Sequence, residues 1–386
     1  MSIRVLHCPT MVAGNAKGIA RAERKLGLLS WSIALERNIF SQGADEILWT
    51  EGQKPLVTEI KRWQLLWRAL TKFDIIHFNF GQSIMPRWHL PDESLRRKYH
   101  WLKLWVYGYY CRLLELRDLP LLKKAGKGIV VTYQGDDARQ GDFCGANFEI
   151  GPTNEVEPGY YSVDSDAHKR LNIARFDRSA DRIFAVNPDL LHVLPDRAEF
   201  IPYSHIDITD WRPIDHEDGE PRVPVVVHAP THRGVKGTRH VLDAVSRLQG
   251  DGIALEFILV EGLPNNEARR LYERADLLVD QLLCGWYGGV AVEFMALGKP
   301  VISYIREIDL AFVPEEMRRD LPIINATPAT LYSVMKEWLT VRKYELREVG
   351  GRGRTYVEKW HDPIKVASKL KGEYETILEK ERRNRH

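Results

Sequence analysis

The chain has 386 residues, 44% of them hydrophobic and 28% charged, which is enough apolar material for two globular cores and a length that favours two domains. Lysine and arginine number 55 against 53 aspartate and glutamate, a net charge of +2 that gives no support to nucleic acid or another polyanion as the main partner. No apolar run reaches the ~18 residues a membrane span needs. Cys8, Cys111, Cys144 and Cys284 show neither CxxC nor zinc-ligand spacing, so an integral membrane protein, a disulfide framework and a zinc site are not expected.

The sequence enters a strand-like run at once, Ile3–Cys8, without the apolar segment and cleavage site of a secretory leader. With unpaired thiols, that predicts a cytoplasmic location. Further strands are predicted at Ser30–Leu35, Glu46–Thr50, Ile75–Phe80, Gly128–Tyr133 and Arg182–Val186. A second series follows at Val223–Ala229, Ala254–Val260, Leu277–Asp280, Val301–Ile305 and Ile323–Asn325. Helical patterns lie between them, at Gly18–Leu28, Thr238–Leu248, Pro264–Ala275, Val290–Leu297 and Pro328–Leu339 among others. Such alternation predicts parallel sheets with helices on both faces, and near-continuous apolar strands such as "PVVVHA" and "LEFILV" suit sheets buried on both sides. The polar segment Asp210–Pro224 is the best linker, giving domains at 1–212 and 213–361. Residues 362–386 form a last helix, with Asp362 as N-cap and Pro363 in its first turn, that closes the second domain or packs back on the first.

In open parallel sheets, ligands bind beyond the carboxyl ends of the strands. The unusual loops of this chain follow strands in both halves: "CPTMVAGNAKG" with Gly14, "GQSIMP", "QGDD", "PTHRGVKG", "EGLPNN" and "GWYGG". In "HAPTHRGVKGT", Arg233 and Lys236 stand just before a helix, where cations and helix-end amides suit a diphosphate; a solvated basic turn is the plainer reading. In "GWYGGVAVEFMALGKP", Gly288 and Gly289 let backbone approach a ligand, and Glu293 is the lone carboxylate on an apolar helix. Burying it unpaired is costly, so it is expected to face the cleft and bind ribose hydroxyls, with pairing to a nearby cation as the alternative. Trp286 and Tyr287 stack on a sugar or pack between domains, with nothing to choose between the two. The turn holding Gly262 and Leu263 is placed to edge a flat base, although Pro264 at a helix start explains the same residues. Gln134, Asp136 and Asp137 share one loop, where they can meet sugar hydroxyls or simply cap a turn. Leu95–Arg117 mixes Arg, Lys, Trp and Tyr on a predicted helix, a pattern that fits a membrane interface or a packed helix with snorkelling cations.

Taken together, "VVVHAPTHRGVKGTRHVLDAVSRL", "ARRLYERADLLVDQ" and "YGGVAVEFMALGKPVI" resemble the donor-binding half of glycosyltransferase family 4, the group 1 glycosyltransferases. "DIIHFNFG", "VVTYQGDD" and "ADRIFAVNPDLLHVLPDRAEFIPY" resemble its acceptor-side half. The resemblance implies an α/β fold of GT-B type, with two Rossmann-like doubly wound domains facing each other across a cleft. It further implies an NDP-sugar donor as co-substrate, no cofactor, no metal and retention at the anomeric carbon. The acceptor would be a glycan, a lipid-linked sugar or a small molecule, with cell-envelope polysaccharide synthesis a destination by analogy and a peripheral membrane contact left open. By position, Glu293 would bind ribose; Gly288, Gly289, Arg233 and Lys236 would hold the diphosphate; the loop with Gln134 and Asp137 would lie near the transferred sugar. Gly285 stands eight positions before Glu293, where the family commonly has a second Glu, and Gln134 stands where it often has His. Two rivals therefore stay open: a nucleotide-sugar epimerase of the same architecture, and a catalytically silent nucleotide-sugar or glycan-binding protein.

Overall fold

The computed structural model describes residues 2–36, 43–50, 52–87, 101–213 and 223–383. Residues 95–100 of the aromatic helix, 214–222 of the expected linker and 384–386 at the C-terminus lie outside the described residues.

One sheet contains β1 (Arg4–Cys8), β2 (Leu29–Ala34), β3 (Glu46–Ile47), β4 (Ile75–Phe78), β5 (Gly128–Tyr133), β6 (Arg182–Ala185) and β7 (Glu199–Phe200). Their order is β3-β2-β1-β4-β5-β6-β7, and every pairing is parallel. A second parallel sheet contains β8 (Val225–His228), β9 (Glu256–Leu259), β10 (Leu277–Val279), β11 (Val301–Ser303) and β12 (Ile324–Asn325), in the order β12-β11-β10-β8-β9. Consecutive residues along central strands, such as Val5 and Leu6 or Ile75 and Ile76, are fully buried because helices cover both faces. The sheet order reverses between β1 and β4 in one domain and between β8 and β10 in the other. Crossovers leave these neighbouring strands in opposite directions, opening a crevice at each switch point.

The first helix runs Asn15–Lys25, three residues earlier than the spacing predicts, because Gly14 turns the chain at φ 78° immediately before it. Its Gly18 abuts the carbonyl of Ser204, a contact that leaves no room for a Cβ. The strand β7 is not predicted from the sequence; it is two residues long, too short to carry an alternation. Neither the helix Pro55–Lys72 nor the helix Val163–Ser179 is among the elements singled out above. Much of the apolar surface of the first faces outward, which obscures a one-sided stripe.

The last helix, Pro363–Arg383, begins where the Asp362 carboxylate accepts the Ile364 N–H at 2.9 Å. It crosses back to the first sheet. Tyr374 donates to the buried Glu23 carboxylate at 3.0 Å and lies 2.8 Å from His77 Nδ1. Glu23 also meets His7 Nε2 at 2.9 Å and Ser30 Oγ at 2.6 Å, so this polar cluster in the first core is satisfied in part by the C-terminal helix.

Candidate functional site

A cavity of about 400 Å³ opens between the carboxyl ends of the two sheets. Most of the wall belongs to loops and helix starts that follow strands, with Ala268 and Tyr272 added from further along one helix. Val12 and Ala13 follow β1, Phe80 follows β4, Gln134 and Asp136 follow β5, and Tyr203 and His205 follow β7. From the other domain come Ala229–Thr231, Val235 and Lys236 after β8, Gly262 and Leu263 after β9, and Gln281, Cys284, Gly288 and Gly289 after β10. Both switch points thus open into one space.

The second domain supplies a cation and a carboxylate. After β8 the chain makes a short turn, Arg233–Lys236, capped by His232 Nδ1 accepting from the Val235 N–H at 3.2 Å and ended by Gly237 at φ 76°. That turn holds Lys236 on the cavity wall, with Nζ 2.6 Å from Gln281 Oε1 and 3.4 Å from Asp280 Oδ1. The other Asp280 oxygen accepts the Gly288 N–H at 2.5 Å. The helix Gly289–Ala296 starts there, and Gly288, Gly289 and Val290 at its N-terminal end, the positive pole of the helix, line the cavity. Glu293 sits one turn into that helix and lines the same cavity, its side chain nearly buried. Its Oε1 lies 3.5 Å from His205 Nε2 and 3.4 Å from Asn265 Nδ2.

The first domain supplies hydrogen-bonding groups. Gln134 is fixed by Asn15, whose Nδ2 donates to Gln134 Oε1 at 3.0 Å, and by its own donation to the Asn79 carbonyl. Asp136 faces the cavity. It accepts from Arg139 Nη1 at 3.1 Å and from the hydroxyls of Tyr160 and Tyr161 at 2.5 and 2.7 Å. Burial opposes its charge, but Arg139 and the two tyrosines outweigh that and hold its pKa below the usual carboxylate range. Arg139 also reaches Asp189, at 2.8 Å.

The other residues singled out from the sequence lie elsewhere. Asp137 turns back into its own loop, accepting the N–H groups of Gly81, Gln134 and Gly135 at 2.9, 3.0 and 2.7 Å. Burial lifts its pKa to about 6 in spite of those three donors. Arg233 is more than half exposed and forks onto Glu261 at 2.8 and 2.5 Å, off the cavity wall. Tyr287 and Trp286 are fully buried: Tyr287 bonds Tyr356 at 3.0 Å and His361 at 2.8 Å, and Trp286 meets Phe200 edge-on across the domains. Gly14 shapes the start of the first helix without lining the cavity. His77 and His228 are core residues that bond Thr132 and Thr238, and burial depresses both pKa values. Sequence reasoning does not find His205 or Arg139, since neither stands in a recognisable spacing. The buried His205 ring lies on the cavity wall, and its Nδ1 has no hydrogen-bond partner among the described residues.

At Gly285 the backbone is left-handed, at φ 79°, and a Cβ there would stand 2.5 Å from Arg306 Nη1 and 2.7 Å from Asp309 Oδ2. The space beside it is filled by an ion pair that ties the domains together. Arg306 donates to Asp309 at 2.7 Å and to the Ile150 carbonyl at 2.8 Å and covers the Phe148 ring, while His192 reaches Asp309 at 2.9 Å. Among the described residues no group of three or more His, Cys, Asp or Glu side chains is placed to hold a metal ion, and no helix is long and apolar enough to cross a membrane.

No protein-family model matches the chain, and no curated protein matches it in sequence. Solved structures do match it over nearly its whole length. Sucrose-phosphate synthase from Thermosynechococcus elongatus superposes with a TM-score of 0.59 at 14% identity, covering 98% of this chain and 99% of that one. The catalytic domain of starch synthase IV from Arabidopsis thaliana, bound to ADP and acarbose, gives 0.58 at 11% identity over 98% and 100%. A UDP-N-acetylglucosamine 2-epimerase from Listeria monocytogenes, so described provisionally, gives 0.51 at 12% over 98% of both chains. Two parallel sheets of seven and five strands, facing each other across a cleft and superposing end to end on these structures, give this chain the GT-B fold.

Proposed function

We propose that this chain is a retaining glycosyltransferase that moves a sugar from a nucleoside diphosphate donor to a glycan, lipid-linked or small-molecule acceptor. The observation that carries the reading is the placement of Lys236, the Gly289 helix start and Glu293 on one wall of one interdomain cavity. Glu293 takes the ribose hydroxyls, Gly262 and Leu263 edge the base, and Lys236 with the helix-end amides holds the diphosphate. Gln134 and Asp136 face the sugar and the acceptor from the other domain, whose His205 stands beside Glu293. In the transfer, the bond from the anomeric carbon to the diphosphate oxygen breaks, and the acceptor oxygen bonds that carbon on the same face. The acceptor's proton passes to the departing diphosphate, so no protein nucleophile takes part. Lys236 and the amides stabilise the charge that develops on the leaving group, an effect worth about 3 kcal/mol per well-placed donor. The donor is a co-substrate, and the reading assigns neither a resident cofactor nor a metal.

The likeness in fold to an epimerase structure favours a second reading, isomerisation of the donor itself, while the glycine at 285 favours a binding protein without turnover. Incubation with radiolabelled UDP-, GDP- and ADP-sugars, with and without an extract of candidate acceptors, separates the readings. Acceptor-dependent release of nucleoside diphosphate with a labelled, longer product supports transfer. An epimeric donor formed without acceptor supports isomerisation, and donor binding without turnover leaves a binding protein.

A further inference from the structure

The helix Trp101–Leu114 carries two charged residues, Lys103 and Arg112, and among its residues only Cys111 is buried. An apolar helix of 14 residues exposed over most of its surface requires a partner. It adjoins the helix Pro55–Lys72, where Trp63 Nε1 donates to Tyr110 at 3.0 Å and Glu59 accepts from Tyr107 and Tyr110 at 3.0 and 2.9 Å. That second helix exposes Leu56, Ile60, Trp63 and Trp67 at four- and three-residue spacing, one stripe along its side. Trp67 and Trp105 are 67% and 66% exposed, although tryptophan is among the costliest side chains to leave in water.

We infer that this face docks on the headgroup region of an anionic lipid bilayer. Tryptophan and tyrosine, apolar in body and polar at one atom, are the residues suited to that depth. The charges agree. Glu59 is the only carboxylate on the described residues of either helix and is already engaged by two tyrosines and Arg62, whereas Lys72 and Lys103 stand at exposed positions. A second copy of the chain docked face to face would set those cations against one another, while an anionic surface complements them. On its buried side the second helix is anchored by Arg62, which donates to the Ile84 carbonyl at 2.7 Å. The inference does not depend on which reaction the cavity performs.

The test is flotation of the full chain with vesicles of phosphatidylcholine alone and of phosphatidylcholine mixed with equal parts of phosphatidylglycerol. The chain is expected to float with the mixed vesicles, to stay behind with the neutral ones, and to be released by high salt. Trp67→Ser with Trp105→Ser should lower vesicle affinity by roughly tenfold or more, from lost apolar burial, with an unchanged melting temperature. Lys72→Glu with Lys103→Glu should weaken binding to the mixed vesicles while leaving both tryptophans in place. Failure to float with the mixed vesicles overturns the inference, as does equal binding to neutral ones or a tryptophan variant that binds like the parent. A dimer in light scattering that the tryptophan variant dissolves would identify a second copy as the occupant and also overturn it.

Discussion

Replacing Glu293 by Gln keeps the shape of a nearly buried side chain while removing its charge and one of its two acceptor oxygens. A carboxylate accepts both protons of a ribose diol, whereas an amide accepts one, so the change forfeits about one charge-assisted hydrogen bond, worth about 1.5–3 kcal/mol. Nucleoside diphosphate affinity should therefore fall roughly 10- to 150-fold. The wall itself survives, because the polar contacts Glu293 makes among the described residues, with Asn265 at 3.4 Å and His205 at 3.5 Å, are both long. Titration calorimetry with the ribo and 2′-deoxy forms of one nucleoside diphosphate, on both proteins, closes a double-mutant cycle. Loss of the 2′-hydroxyl should weaken binding to the parent far more than to Glu293→Gln, with a coupling of at least about 1 kcal/mol. Equal discrimination in the two proteins would show that Glu293 does not hold the ribose, however much affinity the variant loses.

Lys236→Ala should lower turnover roughly 100-fold through lost stabilisation of the leaving diphosphate. Arg233→Ala should cost far less, because Arg233 is solvent-exposed, paired with Glu261 and off the cavity wall; steady-state rates on folded variants compare the two. Gly285→Glu forces a side chain into left-handed backbone and against Arg306 and Asp309, at a cost of about 2–4 kcal/mol. It should melt well below the parent by differential scanning calorimetry, and coincident transitions would contradict the crowding. His361 is buried with its pKa pushed from 6.5 down to about 3 by desolvation, against the favourable Tyr203 carbonyl. A depressed base contributes stability that is complete above its unfolded pKa, so this contribution is present above pH ~6.5 and is lost as pH falls toward about 3, by up to ~1.4 kcal/mol per unit. The acid limb of Tm against pH should be shallower in His361→Gln, and parallel limbs would contradict the assignment.

What the sequence discloses depends on whether a signal is local. Apolar strands ending in Gly-containing or charged loops locate the loops that line the cleft, and Glu293 stands out because an otherwise apolar helix leaves it one way to point. Asp136 and Asp137 are adjacent and alike on paper. The turn after β5 decides between them, sending Asp137 back to three loop amides and Asp136 to the cavity. Trp286 and Tyr287 read equally as a sugar platform or as packing between domains until distant parts of the chain decide it, Tyr287 bonding Tyr356 and His361 and Trp286 meeting Phe200. His205 and Arg139 reach the site through long-range packing that no local spacing records. The lack of a side chain at Gly285 is visible at once, yet its physical reason, the Arg306–Asp309 pair, lies some twenty residues downstream.

The central claim is that one cavity wall grips a nucleoside diphosphate, with Lys236 and the Gly289 helix start on the phosphates and Glu293 on the pentose. A crystal structure with a bound nucleoside diphosphate measures this directly. The account predicts phosphate oxygens within hydrogen-bonding distance of Lys236 Nζ and the Gly289 amide, and both ribose hydroxyls on the Glu293 carboxylate. Nucleotide bound outside this cavity, or inside it with the ribose turned away from Glu293, would contradict it.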